Sequence, residues 1–216
     1  MNNIEYEVVV KGANVRPYLG SFGFSTCVLL KDGNDLVLFD TGSFGVRNTI
    51  TDLREKYKIT KLVLSHLHFD HCANIDLFED IPVYVAKDEL TSLNSDSDYN
   101  TYTTLKYIKD RFNFVFLQHE QKITKNIIAF HTPGHTLGHF SLGFNHNDKK
   151  YIAAGDAIKS LKEYVSDYCV VAPVNPEQYQ KSKEFIKNNF DYIIPGHQDI
   201  FCKENLSEYK IELTTF

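Results

Sequence analysis

No stretch of the 216-residue sequence is apolar for long enough to span a bilayer. The opening Met1-Asn2-Asn3-Ile4-Glu5-Tyr6-Glu7 has neither the basic region nor the apolar core of a secretory signal. A cytoplasmic protein is the expectation. Cysteine is scarce and scattered: Cys27, Cys72, Cys169 and Cys202 make no CxxC pair and no dense disulfide framework, so all four are expected to be reduced. Positive charge is not in excess either, since 23 lysines and arginines face 28 acidic residues for a formal net charge of -5. That balance removes any general attraction to nucleic acid or anionic membrane and leaves a small molecule as the expected partner. Internal repeats and a linker are lacking as well, and at this length a single domain over residues 1–216 is expected.

What the chain does have is a cluster, His66-Leu67-His68-Phe69-Asp70-His71, directly after the apolar run Lys61-Leu62-Val63-Leu64-Ser65. Imidazole and carboxylate ligands together suit zinc or another first-row metal. The cluster holds too many ligands for one tetrahedral ion. His66 and His68 project the same way from an extended backbone, whereas Asp70 and His71 are carried round a turn, so two adjacent metals are expected. Further ligands stand in similar settings. His135, Asp156 and His197 each close a short apolar run with a glycine directly before them, where the backbone can bend sharply and come close to an ion. Of the nine histidines, His119, His131, His139 and His146 read as structural, with His139 at most a donor behind the ligands.

Strand-like runs lie at 6–10, 25–30, 36–39 and 61–64 in the first half and at 127–130, 140–144, 151–154 and 192–194 in the second. Helices are expected over 46–57, where Val46, Ile50, Leu53 and Tyr57 share a face, and over 176–189, where Pro176 suits a first turn. Strand groups each followed by helices suggest two sheets packed face to face with helices outside. Residues 91–112 and 157–174 break the pattern, and each could wall a substrate pocket or be a surface segment.

Leu36-Val37-Leu38-Phe39-Asp40-Thr41-Gly42, the 66–71 cluster, Thr132-Pro133-Gly134-His135-Thr136, Ala153-Ala154-Gly155-Asp156 and Ile194-Pro195-Gly196-His197 resemble, in this order, the five motifs of the metallo-β-lactamase-fold hydrolase superfamily. The resemblance runs from residue 40 to residue 197 and implies an α/β fold, the αβ/βα four-layer sandwich. It implies two zinc ions, iron or manganese being the other metals such ligands accept. His66, His68 and His135 would hold one ion, Asp70, His71 and His197 the other, with Asp156 bridging and Asp40 orienting a ligand. It places Asp70 and Asp40 in the catalytic machinery and implies that a metal-bound hydroxide cleaves a small ester, thioester or lactone, as in the glyoxalase II and lactonase-like branch. Alternatives of other kinds are a one-iron persulfide dioxygenase, a phosphodiesterase or nuclease of the same fold, and a metal-stabilised binding protein. Two departures from the branch stand out. Lys159 occupies the place, three residues after the bridging Asp, where the N-acyl homoserine lactonases carry a catalytic Tyr, so that Tyr164 or Tyr168 would have to replace it. The helical C-terminal extension of glyoxalase II has no counterpart in the short tail after His197.

Overall fold

Residues along the central strands alternate between two buried faces, and this alternation sets the layers. Val28, Leu30, Val37, Phe39 and Val63 point into one cluster with Ala129, Phe140, Leu142, Phe144, Ala153 and Ile194. Their neighbours Leu29, Leu38, Leu62 and Leu64 face the other way, onto Ile50 and Leu53. Ile152, Ala154 and Ile193 likewise face Ile186 and Phe190. A period of two with both faces apolar is the signature of a sheet covered on each side.

The computed structural model describes residues 3–15, 22–92, 106, 109–166 and 173–209. The first sheet is formed by β1 (Glu5–Val10), β4 (Cys27–Asp32), β5 (Asp35–Phe39), β6 (Lys61–Val63), β7 (Pro82–Val85) and β8 (Asn113–Phe116), in that spatial order. A small hairpin, β2 (Ala13–Val15) with β3 (Phe22–Phe24), stands apart from it. The second sheet runs in the order β14-β13-β12-β11-β10-β9, with β9 (Gln121–Lys122), β10 (Ile128–His131), β11 (Phe140–His146), β12 (Lys149–Gly155), β13 (Tyr192–Pro195) and β14 (Phe201–Cys202).

Parallel neighbours need a crossover. The β5–β6 pair is parallel and is joined through α1 (Arg47–Lys56); short α2 (Phe69–Cys72) and α3 (Lys87–Ser92) follow β6 and β7. The parallel β12–β13 pair is joined through α4 (Leu161–Val165) and α5 (Pro176–Asn189). Helix α5 starts where the sequence indicates, with Pro176 in the first turn and the Asn175 side chain accepting the Gln178 N–H. The result is helix, sheet, sheet, helix, an αβ/βα sandwich. No described helix is long and apolar enough to cross a membrane.

Two expectations shift. The strand expected from residue 25 begins at Cys27, because Ser25 and Thr26 give their N–H groups to Asp70 O and Gly196 O beside the ligand loops. The described part of 157–174 is divided: Ala157, Ile158, Leu161 and Tyr164 are buried under α5 while Val165 and Val174 are exposed, and the Tyr164 ring packs edge-on against Phe201 at 5.0 Å, which removes it as a substitute for the lactonase Tyr. Tyr168, residues 93–105, 107 and 108 of the other segment, and Cys169 lie outside the described residues. The three described cysteines, Cys27, Cys72 and Cys202, are buried thiols.

Candidate metal centre

The ligand candidates sit where central strands of both sheets end. Strand β5 ends at Asp40, whose φ of 60° swings the chain aside, and β6 runs into Ser65, His66 and His68, with α2 carrying Asp70 and His71. From the second sheet, β10 leads to His135, β12 to Asp156 and β13 to His197. Glycine is required before all three of these: a Cβ on Gly134 would lie 2.2 Å from the Tyr179 backbone nitrogen, one on Gly155 2.9 Å from both His139 Nε2 and Ser65 Cβ, and one on Gly196 2.3 Å from Asp156 Oδ1.

These side chains fall into two groups, His66, His68, His135 and Asp156 in one and Asp70, His71 and His197 in the other, the ligand atoms of each within 4.8 Å of one another. Asp156 spans both. Its Oδ2 is 3.2 Å from His135 Nε2, and its Oδ1 is 3.1 Å from both His71 Nε2 and His197 Nε2. Asp70, partly exposed, places Oδ2 3.5 Å from His197 Nε2.

Hydrogen bonds behind the rings decide which nitrogen faces inward. His71 donates Nδ1–H to Asp40 Oδ2 at 2.8 Å, His66 donates Nδ1–H to Ser65 Oγ at 2.9 Å, and His197 donates Nδ1–H to the Phe24 carbonyl at 3.1 Å. Each leaves its Nε2 lone pair pointing into the centre, the state a metal ligand needs. Asp40 is the hub of this support. Its Oδ1 accepts the Ser65 N–H at 2.7 Å, while Oδ2 accepts Ser65 Oγ–H at 2.8 Å in addition to His71. His68 differs by presenting Nδ1, which lies 2.9 Å from His135 Nε2.

The donor set fits an ion. Among the described residues, His66 Nε2, His71 Nε2 and Asp156 Oδ1 are buried and find no hydrogen-bond partner, a costly state for polar atoms unless a cation completes them. Charge says the same. Burial pushes the His66 and His135 imidazoles well below their usual pKa, so both are neutral and free to ligate. Burial opposes a charge on His71 too, but the Asp156, Asp40 and Asp70 carboxylates outweigh it and hold this imidazole well above its usual range. The positive charge these carboxylates draw onto His71 is the charge a metal would supply.

Two further residues shape the centre. Burial disfavours the Lys159 ammonium, yet Asp156, 2.8 Å away at Oδ2, raises its pKa overall. Burial likewise acts against the Asp156 carboxylate, and Lys159, His197, His71 and His135 together hold it well below the usual carboxylate range. His139, read from sequence as structural, stands behind Asp156 as an acceptor: its Nε2 takes the Asp156 N–H at 3.0 Å, and its Nδ1–H goes to Thr132 Oγ1 at 2.9 Å. Burial pushes it down to about 3. Sequence reasoning missed the Ser65, Phe24 and Lys159 contacts, and only Lys159, three residues from Asp156, offered a signal.

The sequence model of the metallo-beta-lactamase superfamily matches residues 20–197, and the chain belongs to that superfamily. An N-acyl homoserine lactonase of Bacillus thuringiensis is 24% identical over 140 residues, which are 63% of this chain and 54% of the relative. The chain thus spans about half the length of the curated relatives it matches first. A crystal structure described as a putative metallo-beta-lactamase from Thermotoga maritima superposes with a TM-score of 0.75 at 21% identity, covering 93% of this chain and all of the other. An N-acyl homoserine lactone hydrolase with N-hexanoyl-L-homoserine at its catalytic metal centre superposes with a TM-score of 0.69 at 19% identity, over 97% of this chain and 96% of that one. At these identities the likeness in structure is one of fold.

Proposed function

We propose that the chain acts as one metal-dependent hydrolase domain that cleaves a small ester, thioester or lactone. In this reading His66, His68 and His135 would hold one zinc ion and Asp70, His71 and His197 a second, with the Asp156 carboxylate available to both groups. The observation that carries it is the placing of the two Asp156 oxygens, one toward each group, with histidine lone pairs converging from both sides. Bound ions of this kind lower the pKa of water to about 7 and polarise a carbonyl oxygen, which supplies a nucleophile without a Ser or Cys.

The chain's own residues do the rest. Asp40 and Ser65 keep the tautomers of His71 and His66, and Asp70, 30% exposed at its side chain, is a member of the second group that solvent still reaches. The Lys159 ammonium at Asp156 keeps positive charge at the floor of the site, where a reacting carbonyl oxygen gains negative charge. Phe44, 51% exposed, meets the Phe69 ring edge-on at 4.9 Å beside Asp70, an apolar lip suited to a small organic acyl group. The relatives named for lactone hydrolysis support the same substrate class, and the net charge of -5 argues against nucleic acid as substrate.

The test is acid release by the zinc-loaded protein from a panel of lactones, thioesters, aryl esters and bis(4-nitrophenyl) phosphate. Carbonyl substrates should be turned over with the higher kcat/KM. A phosphodiester preferred over every carbonyl compound would overturn the assignment of substrate class.

A further inference from the structure

Glu89 belongs to neither ligand group. It lies in the first turn of α3, inside the charged run Lys87-Asp88-Glu89, yet it is only 7% exposed. Its carboxylate accepts two backbone N–H groups, that of Leu67 at Oε2 and that of Gly138 at Oε1, each at 3.0 Å. Leu67 stands between His66 and His68, at the exit of the first sheet. Gly138 lies in the loop joining β10 to β11 of the second sheet, between His135 and His139. One carboxylate therefore ties together the two loops that carry every histidine of the first ligand group.

The fit leaves no slack. A Cβ on Gly138 would come 2.8 Å from Ala86 Cβ and 2.9 Å from both Cγ and Oε1 of Glu89, so the loop reaches this carboxylate only because residue 138 has no side chain. Both amides are buried, and without Glu89 each would lose its acceptor. Beside these, Phe140 N–H donates to Ser65 O at 2.8 Å and the ligand rings themselves meet, His68 Nδ1 2.9 Å from His135 Nε2, so Glu89 is the side chain that holds the backbone of residues 67 and 138 behind those rings. The second ligand group is supported differently, by Asp40 behind His71 and the Phe24 carbonyl behind His197.

We infer that Glu89 is a positioning residue that fixes the approach of His68 to His135 and so sets the affinity of the first ion site selectively. The inference rests on the metal-centre reading above. A carboxylate presents acceptors to both loops, whereas an amide of the same length presents one acceptor and one donor. Glu89→Gln therefore keeps one tie and turns an NH2 against the other amide.

The experiment is a Zn2+ titration in competition with a chromophoric chelator, alongside the melting temperature of the metal-free protein. Glu89→Gln is measured in a His197→Ala background, which reports the first group, and in a His68→Ala background, which reports the second. First-site affinity should fall roughly 10 to 100-fold, the usual effect of removing support behind a ligand, with the second site unchanged. Gly138→Ala, which forces the loop off Glu89 without touching the carboxylate, should give the same selective loss and serves if Glu89→Gln does not fold. Equal weakening of both sites, or an unchanged first site in either variant, would overturn the inference while leaving the metal-centre reading intact. Failure of the protein with neither substitution to bind Zn2+ would overturn both.

Discussion

Replacing Asp40 with Asn isolates the contribution of a charge behind the second ligand group. The backbone there has φ 60°, and Asn is among the few residues that accept this conformation readily, so the substitution leaves the chain path undisturbed. The carboxylate receives three hydrogen bonds, from Ser65 N–H, Ser65 Oγ–H and His71 Nδ1–H. An amide cannot receive all three. With its NH2 toward His71, the ring must give up its Nδ1 proton and carry it on Nε2, where it blocks the ligand lone pair. With its NH2 toward Ser65, two donors meet where the bond is now 2.7 Å. A hydrogen bond to a charged group contributes about 1.5–3 kcal/mol, and 1.4 kcal/mol is a factor of ten, so second-site zinc affinity should fall roughly 10 to 100-fold. The first site should fall less, because His66 reaches Asp40 only through Ser65 Oγ. Chelator competition in the single-site backgrounds measures both. Unchanged second-site affinity, or a larger loss at the first site, would refute this account of Asp40.

Lys159→Met should destabilise the metal-free protein by about 3–5 kcal/mol, the cost of stranding one member of a buried charge pair, and the zinc-loaded protein by much less, because the ions then neutralise Asp156. Equal losses in urea unfolding of the two forms would contradict this. The same substitution should raise the Asp156 pKa. A depressed carboxyl contributes stability that is lost as pH falls through its folded value, so acid unfolding of the metal-free variant should begin at a higher pH than in the parent. His139 titrates at about 3 in the fold against 6.5 when unfolded, so the unfolded chain binds the extra proton between these values. Its contribution is present above pH 6.5 and fades toward pH 3, by up to roughly 5 kcal/mol at about 1.4 kcal/mol per pH unit. His139→Gln keeps an acceptor for the Asp156 N–H and should flatten the dependence of the metal-free protein by about one proton; an unaltered slope would show that His139 is not the titrating group.

The gathering of the candidate ligands was legible in the sequence because it lies in residue type and spacing: three imidazoles and a carboxylate in a His-x-His-x-Asp-His run at the exit of an apolar strand come together with His135, Asp156 and His197 in two groups that could hold metal. The central strands were legible for a related reason, since residues 36–39 or 151–154 are apolar on both faces. Short or edge elements were not. The β2–β3 hairpin has three residues a side, and β7 opens on Pro82 and spans four residues, too few for a period to show. The residues that support the ligands were hidden for a different reason. Glu89 in its charged run reads as a solvated helix start, Ser65 as the end of a strand, and the Phe24 carbonyl has no sequence signal at all. Their roles depend on which loops approach one another, and only the packing of the two sheets determines that.

The central claim, two ions sharing Asp156, is tested most directly by elemental analysis of protein purified without chelator, beside the Asp156→Ala variant. The account predicts about two divalent ions per chain in the parent, zinc foremost, and reduced occupancy of both sites in the variant, since a shared ligand is removed. One iron per chain, unchanged by Asp156→Ala, would contradict it and point to a mononuclear oxygen-using enzyme.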